Sequence, residues 1–303
     1  MSITQSGTPM ARPPASAGPS ASVIGPKRRK VGREKPNYLA GVLSAIWLVL
    51  VVVPLYFMIS SSFRTRQDYL RDNPLKLPSS PTFENYQSVF TGGFGRYFLN
   101  NIIVTVGTVA IVVALVVPAA YAVARNPSPM VQRGFSLMLV GLAVPAQAVI
   151  IPVYLLINQM QLYDTLLAII LPTAAFALPV AMLVMTNSLR DIPNELYEAQ
   201  TLDGAGALQT LRNLVLPLAK PAITTVTVFT AMSAWNGFLF PLVLTQSAEQ
   251  RTLTLGLQTF SSQFGTNVPG LLAAITLSLL PIFFVYLFGR RYLLGGLTAG
   301  FGK

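Results

Sequence analysis

Six long stretches of this chain contain no Asp, Glu, Lys or Arg, and each has between 25 and 38 residues. A membrane-spanning helix needs about 20 predominantly apolar residues. Only 10% of the residues are charged, whereas soluble domains carry about 25%. The stretches also lack the polar face expected of helices buried in a soluble protein. We therefore predict an all-α membrane protein with six spans, near residues 39–61, 98–124, 134–157, 166–189, 221–244 and 269–289.

The distribution of basic residues predicts the orientation. If the N-terminus is inside, the inner segments hold 15 of the 21 Lys and Arg residues. Basic residues concentrate on the cytoplasmic side of membrane proteins. We therefore expect a multi-pass membrane protein with both termini in the cytoplasm. Ala15 and residues 200–215 would be cytoplasmic, and Ser79 and Gly265 would be outside.

The first 37 residues differ in composition from the rest of the chain. They are rich in Pro, Ser, Ala and Gly and end in the basic run "PKRRKVGREK", which favours a disordered cytoplasmic tail. A cleavable signal peptide would have a shorter basic region and a shorter apolar core. We predict a basic tail at 1–37, a membrane domain at 38–303, and a first span that is an uncleaved anchor.

Prolines lie within or at the edges of the predicted spans. Neighbouring helices can satisfy the backbone groups that such prolines free. Two interpretations stay open, namely ordinary packing kinks and a bundle bent around a central cavity. The prolines are Pro54, Pro118, Pro145, Pro152, Pro172, Pro179, Pro241 and Pro281.

Several kinds of chemistry are excluded by what the sequence lacks. The chain has no Cys and no His, which excludes thiolate and imidazole metal sites and Ser-His-Asp triads. No predicted span holds an ionisable residue, which argues against an ion-coupled carrier, although backbone carbonyls could bind sodium. The ending "GGLTAGFGK" does not match the phosphate loop G-x-x-x-x-G-K-[ST]. We expect no cofactor, no metal and no ATPase site of its own, so energy must come from a partner.

A charged segment, residues 190–220, separates the fourth and fifth predicted spans. Glu195 and Glu198 suit the first turns of a helix, and Gly204 suits its C-terminal end. A second helix is predicted from about Ala207 to Leu216. The segment therefore predicts a helix–turn–helix on the inner membrane face, either a docking site or a plain connector. The apolar residues expected on one face of the second helix are Leu208, Leu211, Val215 and Leu218.

Within this segment, "EAQTLDGAGALQTLRNLVLP" resembles the EAA loop of ABC-importer permeases. That pattern reads E-A-A, three residues, G, nine residues, I, any residue, L-P. Gln200 stands where the family has a second Ala. Six positions agree in identity or type: Glu198, Ala199, Gly204, Leu214, Leu216 and Pro217.

Over residues 38–303 the chain is similar to the shorter six-helix permease of maltose-type carbohydrate importers. The segments that carry the resemblance are "PTFENYQSVF", "FLNNIIVT", "VPAQAVIIPVYLLINQMQLYDT", "AWNGFLFPLVLT", "TLTLGL" and "LLGGLTAGFGK".

The resemblance implies a location in the bacterial plasma (inner) membrane. It also implies a heterodimer with a second permease, two cytoplasmic ATPase subunits and an extracellular solute-binding protein. The EAA loop would couple ATPase motion to transport, the Thr245–Val268 loop would enter the binding protein's cleft, and the C-terminal tail would reach the ATPase interface. The residues that it assigns to coupling are Glu198, Ala199, Asp203, Gly204, Leu214, Leu216 and Pro217.

The sequence does not name the transported solute. An importer of a non-sugar solute and, from another class, an ion-coupled secondary carrier remain alternatives, while no residue constellation supports a membrane-embedded enzyme. Aromatic rings could stack on sugar faces, although aromatics in membrane helices also serve as anchors. Four candidates for the substrate pathway are Tyr154, Phe176, Trp235 and Phe238, with Tyr121 and Phe240 as further aromatics.

Overall fold

The computed structural model describes residues 38–73, 75–262 and 265–299. The predicted tail at 1–37 and the last four residues of the C-terminal tail lie outside this part. Two compact units divide the chain, Met1–Val49 and Leu50–Lys303, and the first helix begins in one and ends in the other.

The described chain is almost entirely helical. Short 3-10 turns lie at Gly141–Ala143, Ala146–Val149, Ala248–Gln250 and Leu257–Phe260, and a π-helical turn at Leu211–Val215. Two short antiparallel strands, β1 (Ser261–Ser262) and β2 (Gly265–Thr266), pair Ser261 with Thr266. The α-helices are α1 Tyr38–Ser62, α2 Arg66–Arg71, α3 Glu84–Thr91, α4 Phe94–Arg125, α5 Pro129–Val140, α6 Ile150–Gln159, α7 Leu166–Arg190, α8 Asn194–Leu202, α9 Ala207–Thr210, α10 Leu216–Leu218, α11 Lys220–Trp235, α12 Leu239–Leu244, α13 Leu253–Gly256 and α14 Val268–Ala299.

Three of the described helices, α1, α4 and α7, are long and apolar enough to cross a membrane. Their bounds agree with the first, second and fourth predicted spans. Two bent helix pairs bring the number to as many as five if each pair is one span: Pro129–Ala143 with Ala146–Gln159, and Ala207–Leu218 with Lys220–Trp235. A shorter apolar stretch, Val268–Phe284, lies where the sixth span is predicted.

The predicted third span, 134–157, is not one straight helix. Its two halves meet at an angle of 95°. The break falls at Val144 and Pro145, where Val144 is extended with φ −89° and ψ 110°. Proline disfavours helical backbone in the residue before it and cannot donate to the preceding turn. Other prolines lie inside continuous helices, for example Pro118 in α4 and Pro172 and Pro179 in α7.

The predicted fifth span, 221–244, is also broken. Helix α11 ends at Trp235, and α12 begins only at Leu239. Asn236 caps α11 through its backbone N–H, and its side chain donates to the carbonyl of Met232 at 2.8 Å. Before the break, α10 and α11 are bent by 76° at Ala219.

The core of the larger unit is built by α4, α7 and α11. Val112, Val116 and Ala120 of α4 are buried with Met185 of α7 and Val226 of α11. Gly107 lets α4 approach α7 closely, because a Cβ there would lie 3.0 Å from Cδ1 of Ile170. Helix α4 therefore packs against both α7 and α11.

The end of α1 is held by side chains of α3. Asn85 is buried, and its Nδ2 donates to the carbonyl oxygens of Ser62 at 2.8 Å and Arg64 at 2.7 Å. The hydroxyls of Ser62 and Tyr86 lie 2.7 Å apart. Asn85 and Tyr86 belong to "PTFENYQSVF", so this segment has a clear structural role.

Candidate functional site

The charged segment, residues 190–220, forms two helices joined by a tight turn. Helix α8 ends at Leu202, and Gly204 has φ +76°. The Gly204 N–H donates to the carbonyl of Thr201 at 3.0 Å, and the Ala205 N–H donates to that of Gln200 at 2.9 Å. These two bonds, around a left-handed glycine, form a Schellman C-cap. The predicted turn at Gly204 is therefore present and uses backbone that favours glycine.

The second helix contains a π-helical turn at Leu211–Val215. This turn adds a residue, so the predicted apolar face is only partly right. Val215 is fully buried, whereas Leu208 is 77% exposed and Leu218 is 47% exposed. Leu214 packs against the core beside Leu211. Pro217 follows at once, and its missing N–H cannot satisfy the carbonyl one turn earlier.

The residues proposed for coupling lie mostly on the surface of the segment. Of the seven, Leu214 is half-buried, and the other six are exposed: Glu198, Ala199, Asp203, Gly204, Leu216 and Pro217. Leu202 and Leu208 flank the turn and are 89% and 77% exposed. The segment thus presents acidic side chains next to exposed apolar ones.

Tyr197 is the buried residue of α8, and it seats this helix on α4. Its ring stacks on that of Tyr121 with the centroids 6.2 Å apart. The guanidinium carbon of Arg125 lies 4.0 Å from the centre of the Tyr197 ring, within the range of a cation–π interaction. Arg125 also donates to Oδ1 of Asn194 at 2.6 Å. One turn of α4 therefore holds α8 at two points.

Burial raises the pKa of Tyr197, and the nearby Tyr121 adds to this, whereas the positive charge of Arg125 lowers it. The pKa ends above its ordinary value, so the phenol stays neutral throughout the physiological range. Its hydroxyl has no hydrogen-bond partner among the described residues. The ring, and not the hydroxyl, therefore makes the contact with α4.

A second group of contacts joins the ends of α4, α5 and α7 beside this seat. Arg190 donates to Oε1 of Gln132 at 3.0 Å. Nε2 of Gln132 donates to the carbonyl oxygens of Val123 and Asn126, at 2.9 Å each. The guanidinium of Arg190 also lies 5.7 Å from the centre of the Phe135 ring. The charged segment thus begins where side-chain contacts connect the ends of α4, α5 and α7.

The structure does not bring the four proposed pathway aromatics together. Trp235 is buried and meets Phe98 edge-on, with the centroids 5.7 Å apart. Tyr154 and Phe176 belong to a separate core cluster. Phe238 is 40% exposed at the break after α11. Trp235 is therefore buried, Tyr154 and Phe176 are partly buried, and Phe238 is the most exposed of the four.

A cavity of about 130 Å³ lies beside Trp235, between α4, α11 and α14. Thr105 contributes a hydroxyl that is buried without a partner among the described residues. The cavity lining is otherwise apolar: Ile102, Val106, Ala231, Met232, Trp235, Pro281 and Ile282. A single hydroxyl among apolar side chains is too little to orient a polar ligand, since specific sites place several polar groups.

The Thr245–Val268 loop is fixed at its start by Asp164. One carboxylate oxygen of Asp164 accepts from the N–H groups of Gln246 and Ser247, at 2.9 and 3.0 Å, and from the Ser247 hydroxyl at 3.1 Å. The N–H of Asp164 donates to the carbonyl of Leu244 at 3.0 Å. Burial alone would raise the pKa of Asp164, but these three hydrogen bonds outweigh it and lower the pKa.

The same loop is also fixed to the beginning of α4. Nδ2 of Asn100 donates to the carbonyl oxygens of Glu249 and Arg251, at 2.7 and 2.9 Å. Nε of Arg96 donates to the carbonyl of Glu249 at 3.1 Å. Further along, Gly256 lies so close to the Tyr97 ring that a Cβ would come within 2.3 Å of it. Helix α4 therefore holds this loop at one end and α8 at the other.

Replacing Asp164 with glycine should loosen the start of the loop. Glycine fits the left-handed backbone of this position, φ 58°, but removes the acceptor of three hydrogen bonds. Hydrogen exchange at the amides of Gln246 and Ser247 should be about tenfold faster, corresponding to roughly 1.4 kcal/mol. Asp164→Asn is the matched control, because asparagine keeps an oxygen acceptor and tolerates the same backbone. Equal exchange in all three proteins would contradict this role.

The lowered pKa of Asp164 also predicts the pH dependence of this anchor. A carboxylate with a depressed pKa in the folded state stabilises it above its ordinary pKa, and that stability is lost as the pH falls through the lowered value. Protection of the two amides should therefore persist from neutral pH to below the usual aspartate titration, near about 3.9. The Asp164→Asn protein should show no such titration.

The sequence analysis missed the residues that hold α8 and the Thr245–Val268 loop in place. Arg125, Tyr197, Asn100 and Asp164 act through partners far away in the chain, which spacing alone does not reveal. Two signals were available. Asp164 is an isolated charge between two apolar stretches, and Tyr197 lies directly beside Glu198 of the motif. Among the described residues, no three His, Cys, Asp or Glu side chains form a group that could hold a metal ion.

Comparison with known proteins identifies the family. The profile described as "Binding-protein-dependent transport system inner membrane component" matches residues 116–297. A "Putative ABC transporter permease protein ORF2" of Caldicellulosiruptor sp. is 36% identical, covering 86% of this chain and 94% of its own length. The "Diacetylchitobiose uptake system permease protein NgcG" of Streptomyces coelicolor is 32% identical, covering 86% of this chain and 87% of its own.

A solved structure shares the fold. It is described as the crystal structure of a bacterial ABC transporter involved in the import of the acidic polysaccharide alginate. One of its chains matches with a TM-score of 0.74 and 23% identity, covering 84% of this chain and 95% of that chain. The family profile and the similarity to these permeases show that the chain belongs to the family of binding-protein-dependent transport system inner membrane components, the permease subunits of ABC transporters.

Proposed function

We propose that this chain is one of two different permeases in an ATP-driven importer of carbohydrate, and that residues 190–220 are its coupling segment. The observation that carries the proposal is the geometry of α8. The motif residues Glu198, Ala199 and Gly204 are exposed, while Tyr197 on the same helix is buried against α4. A helix that is seated on one side and exposes acidic and apolar residues on the other suits docking of a soluble ATPase.

The proposed solute is a sugar or oligosaccharide. The similarity to a permease named for diacetylchitobiose uptake supports this class, as do the segments shared with maltose-type permeases. Phe238 is the pathway candidate with the most accessible ring, 40% exposed. Tyr154, Phe176 and Trp235 are proposed to line the pathway only if the bundle rearranges around them.

The proposed arrangement has six spans with both termini in the cytoplasm of a bacterium. The bent pair Pro129–Ala143 with Ala146–Gln159 would make the third crossing, α11 with α12 the fifth and α14 the sixth. The charged segment would then face two cytoplasmic ATPase subunits. The Thr245–Val268 loop, held by Asp164 and Asn100, would face the extracellular binding protein. The basic tail at 1–37 would lie on the ATPase side of the membrane, near anionic lipid headgroups.

Reconstitution in proteoliposomes tests this function. We expect uptake of radiolabelled oligosaccharide only when the second permease, the ATPase and the binding protein are all present. ATP should act on the side of the charged segment, and the binding protein on the opposite side. Uptake by this chain alone, driven by a proton or sodium gradient, would show an ion-coupled carrier instead. Uptake of a peptide or amino acid, but no sugar, would show that the solute class is wrong.

A further inference from the structure

We propose that helix α4 mechanically links the two partner sites of this permease. At its C-terminal end Arg125 contacts Tyr197 of α8, and at its N-terminal end Arg96 and Asn100 contact the Thr245–Val268 loop. These are positioning residues. The inference rests on the proposed function, because it assumes that the ATPase docks on the charged segment and the binding protein on the Thr245–Val268 loop.

The C-terminal end of α4 holds α8. The stacking on Tyr121, the cation–π contact with Arg125 and the hydrogen bond from Arg125 to Asn194 all join α8 to α4. Tyr121 and Arg125 are four residues apart, so they lie on one face of the helix. Two attachment points fix both the position and the rotation of α8. A displacement of α8 therefore acts directly on α4.

The covalent connection of α8 runs instead to α7, through Asp191–Pro193. Arg190, at the end of α7, is bonded to Gln132 of α5. Gln132 in turn donates to carbonyl oxygens at the end of α4. The side chains next to this connection thus also lead to α4, and they reinforce the first attachment.

The N-terminal end of α4 holds the Thr245–Val268 loop. Asn100 is 6% exposed and donates to two carbonyl oxygens of the loop. Arg96 donates to one of these oxygens from an exposed position. From Asn100 to Arg125 the helix rises about 38 Å. It is continuous over this length, and at Gly107 it packs tightly on Ile170.

A continuous, closely packed helix transmits a shift of one end to the other, because a packed core does not absorb small displacements. Docking of the binding protein on the loop therefore biases the position of α8, and closure of the ATPase biases the loop. Such a linkage needs an element that both sites act on, and α4 touches both.

The test is a double-mutant cycle in the assembled transporter, with ATP hydrolysis stimulated by the sugar-loaded binding protein as the readout. Arg125→Met keeps the side-chain stem and removes the cation. Arg125 is exposed, so stimulation, taken relative to the unstimulated hydrolysis of the same assembly, should fall by about two- to fivefold. Arg96→Met, also at an exposed position, should lower stimulation by about twofold. Arg133→Met, which removes an exposed charge from α5, should have no effect.

The double variant, with both Arg96→Met and Arg125→Met, tests whether the two ends of α4 are coupled. Sites this far apart normally contribute additively. If α4 links them, the double variant should lose no more stimulation than the more severe single variant. Tyr197→Phe should behave as wild type, since it keeps the ring and removes only the unpartnered hydroxyl.

The proposed linkage through α4 would be contradicted if the losses of stimulation multiply in the double variant, or if the single variants show wild-type stimulation. If the wild-type assembly shows no stimulation by the binding protein, the proposed function itself is wrong. The two failures are therefore distinct.

Discussion

Gly204→Val should abolish most ATP-driven uptake while the chain still reaches the membrane. Gly204 has φ +76° and closes the Schellman turn behind α8. Left-handed backbone costs a residue with a Cβ about 1–2 kcal/mol, and β-branched residues are genuine outliers there. A Cβ at this position would meet no atom within 4 Å. The penalty therefore comes from the backbone of the turn and displaces the exposed α8 surface, while the spans keep their packing. Uptake per inserted chain is the measurement.

Gly206→Val is the matched control for this variant. Gly206 lies two residues further along the same turn, and a Cβ there would also meet no atom within 4 Å. Its backbone is extended, with φ −73° and ψ 167°, which any residue adopts. This variant should transport at nearly the wild-type rate. Equal loss in both variants would show that the turn is sensitive to bulk and not to the left-handed backbone.

Glu198→Lys should weaken the binding of the ATPase. Glu198 is exposed on α8, and the proposed contact places a basic group of the ATPase against it. Reversing the charge puts like charges together at a partly desolvated interface. Disrupting one side of such a pair typically costs about 2–5 kcal/mol. Titration of the detergent-solubilised permease pair with the ATPase measures the loss of affinity.

Two comparisons separate this effect from a change in net charge. Glu84→Lys alters the charge equally at an exposed position on α3, and it should leave ATPase affinity unchanged. Glu198→Gln removes the attraction without adding repulsion, so its loss should be smaller. Salt screens a partly desolvated contact less than an exposed one, so added salt should recover only a small part of the affinity of Glu198→Lys. A deficit as large in Glu84→Lys would contradict a contact at Glu198.

The straight spans were predictable because they depend only on composition and length. Helices α1, α4 and α7 begin and end within a few residues of the predicted spans. The breaks were not predictable in the same way. An uncharged run has the same length whether its helix is straight or bent by 95° at Val144 and Pro145. Proline alone does not decide the outcome, since α7 continues through two of them.

The charged segment shows the same division between local and long-range information. Gly204 and the ends of α8 follow from capping rules that act within a few residues. The π-helical turn at Leu211–Val215 does not, and neither does the exposure of Leu208 and Leu218. The pathway aromatics were chosen by residue type. Residue type does not tell whether a ring packs in the core, as Trp235 does.

The residues that anchor α8 and the Thr245–Val268 loop act through contacts between distant parts of the chain. Arg125 meets Tyr197, and Asp164 meets Ser247, across separations of 72 and 83 residues. One sequence gives the chemistry of such groups but not their pairing. The fold supplies the pairing by bringing the ends of α4 beside α8 and beside the Thr245–Val268 loop.

The central claim is that residues 190–220 hold the ATPase, and retention of the ATPase on the purified permease tests it most directly. Wild type, Glu198→Lys and Gly204→Val would be compared at equal membrane abundance, with Gly206→Val and Glu84→Lys as controls. We expect the wild-type chain and both controls to retain the ATPase. The other two variants should lose most of it, or retain it without transport. If both variants hold the ATPase and transport at wild-type rates, the segment is only a connector between two spans.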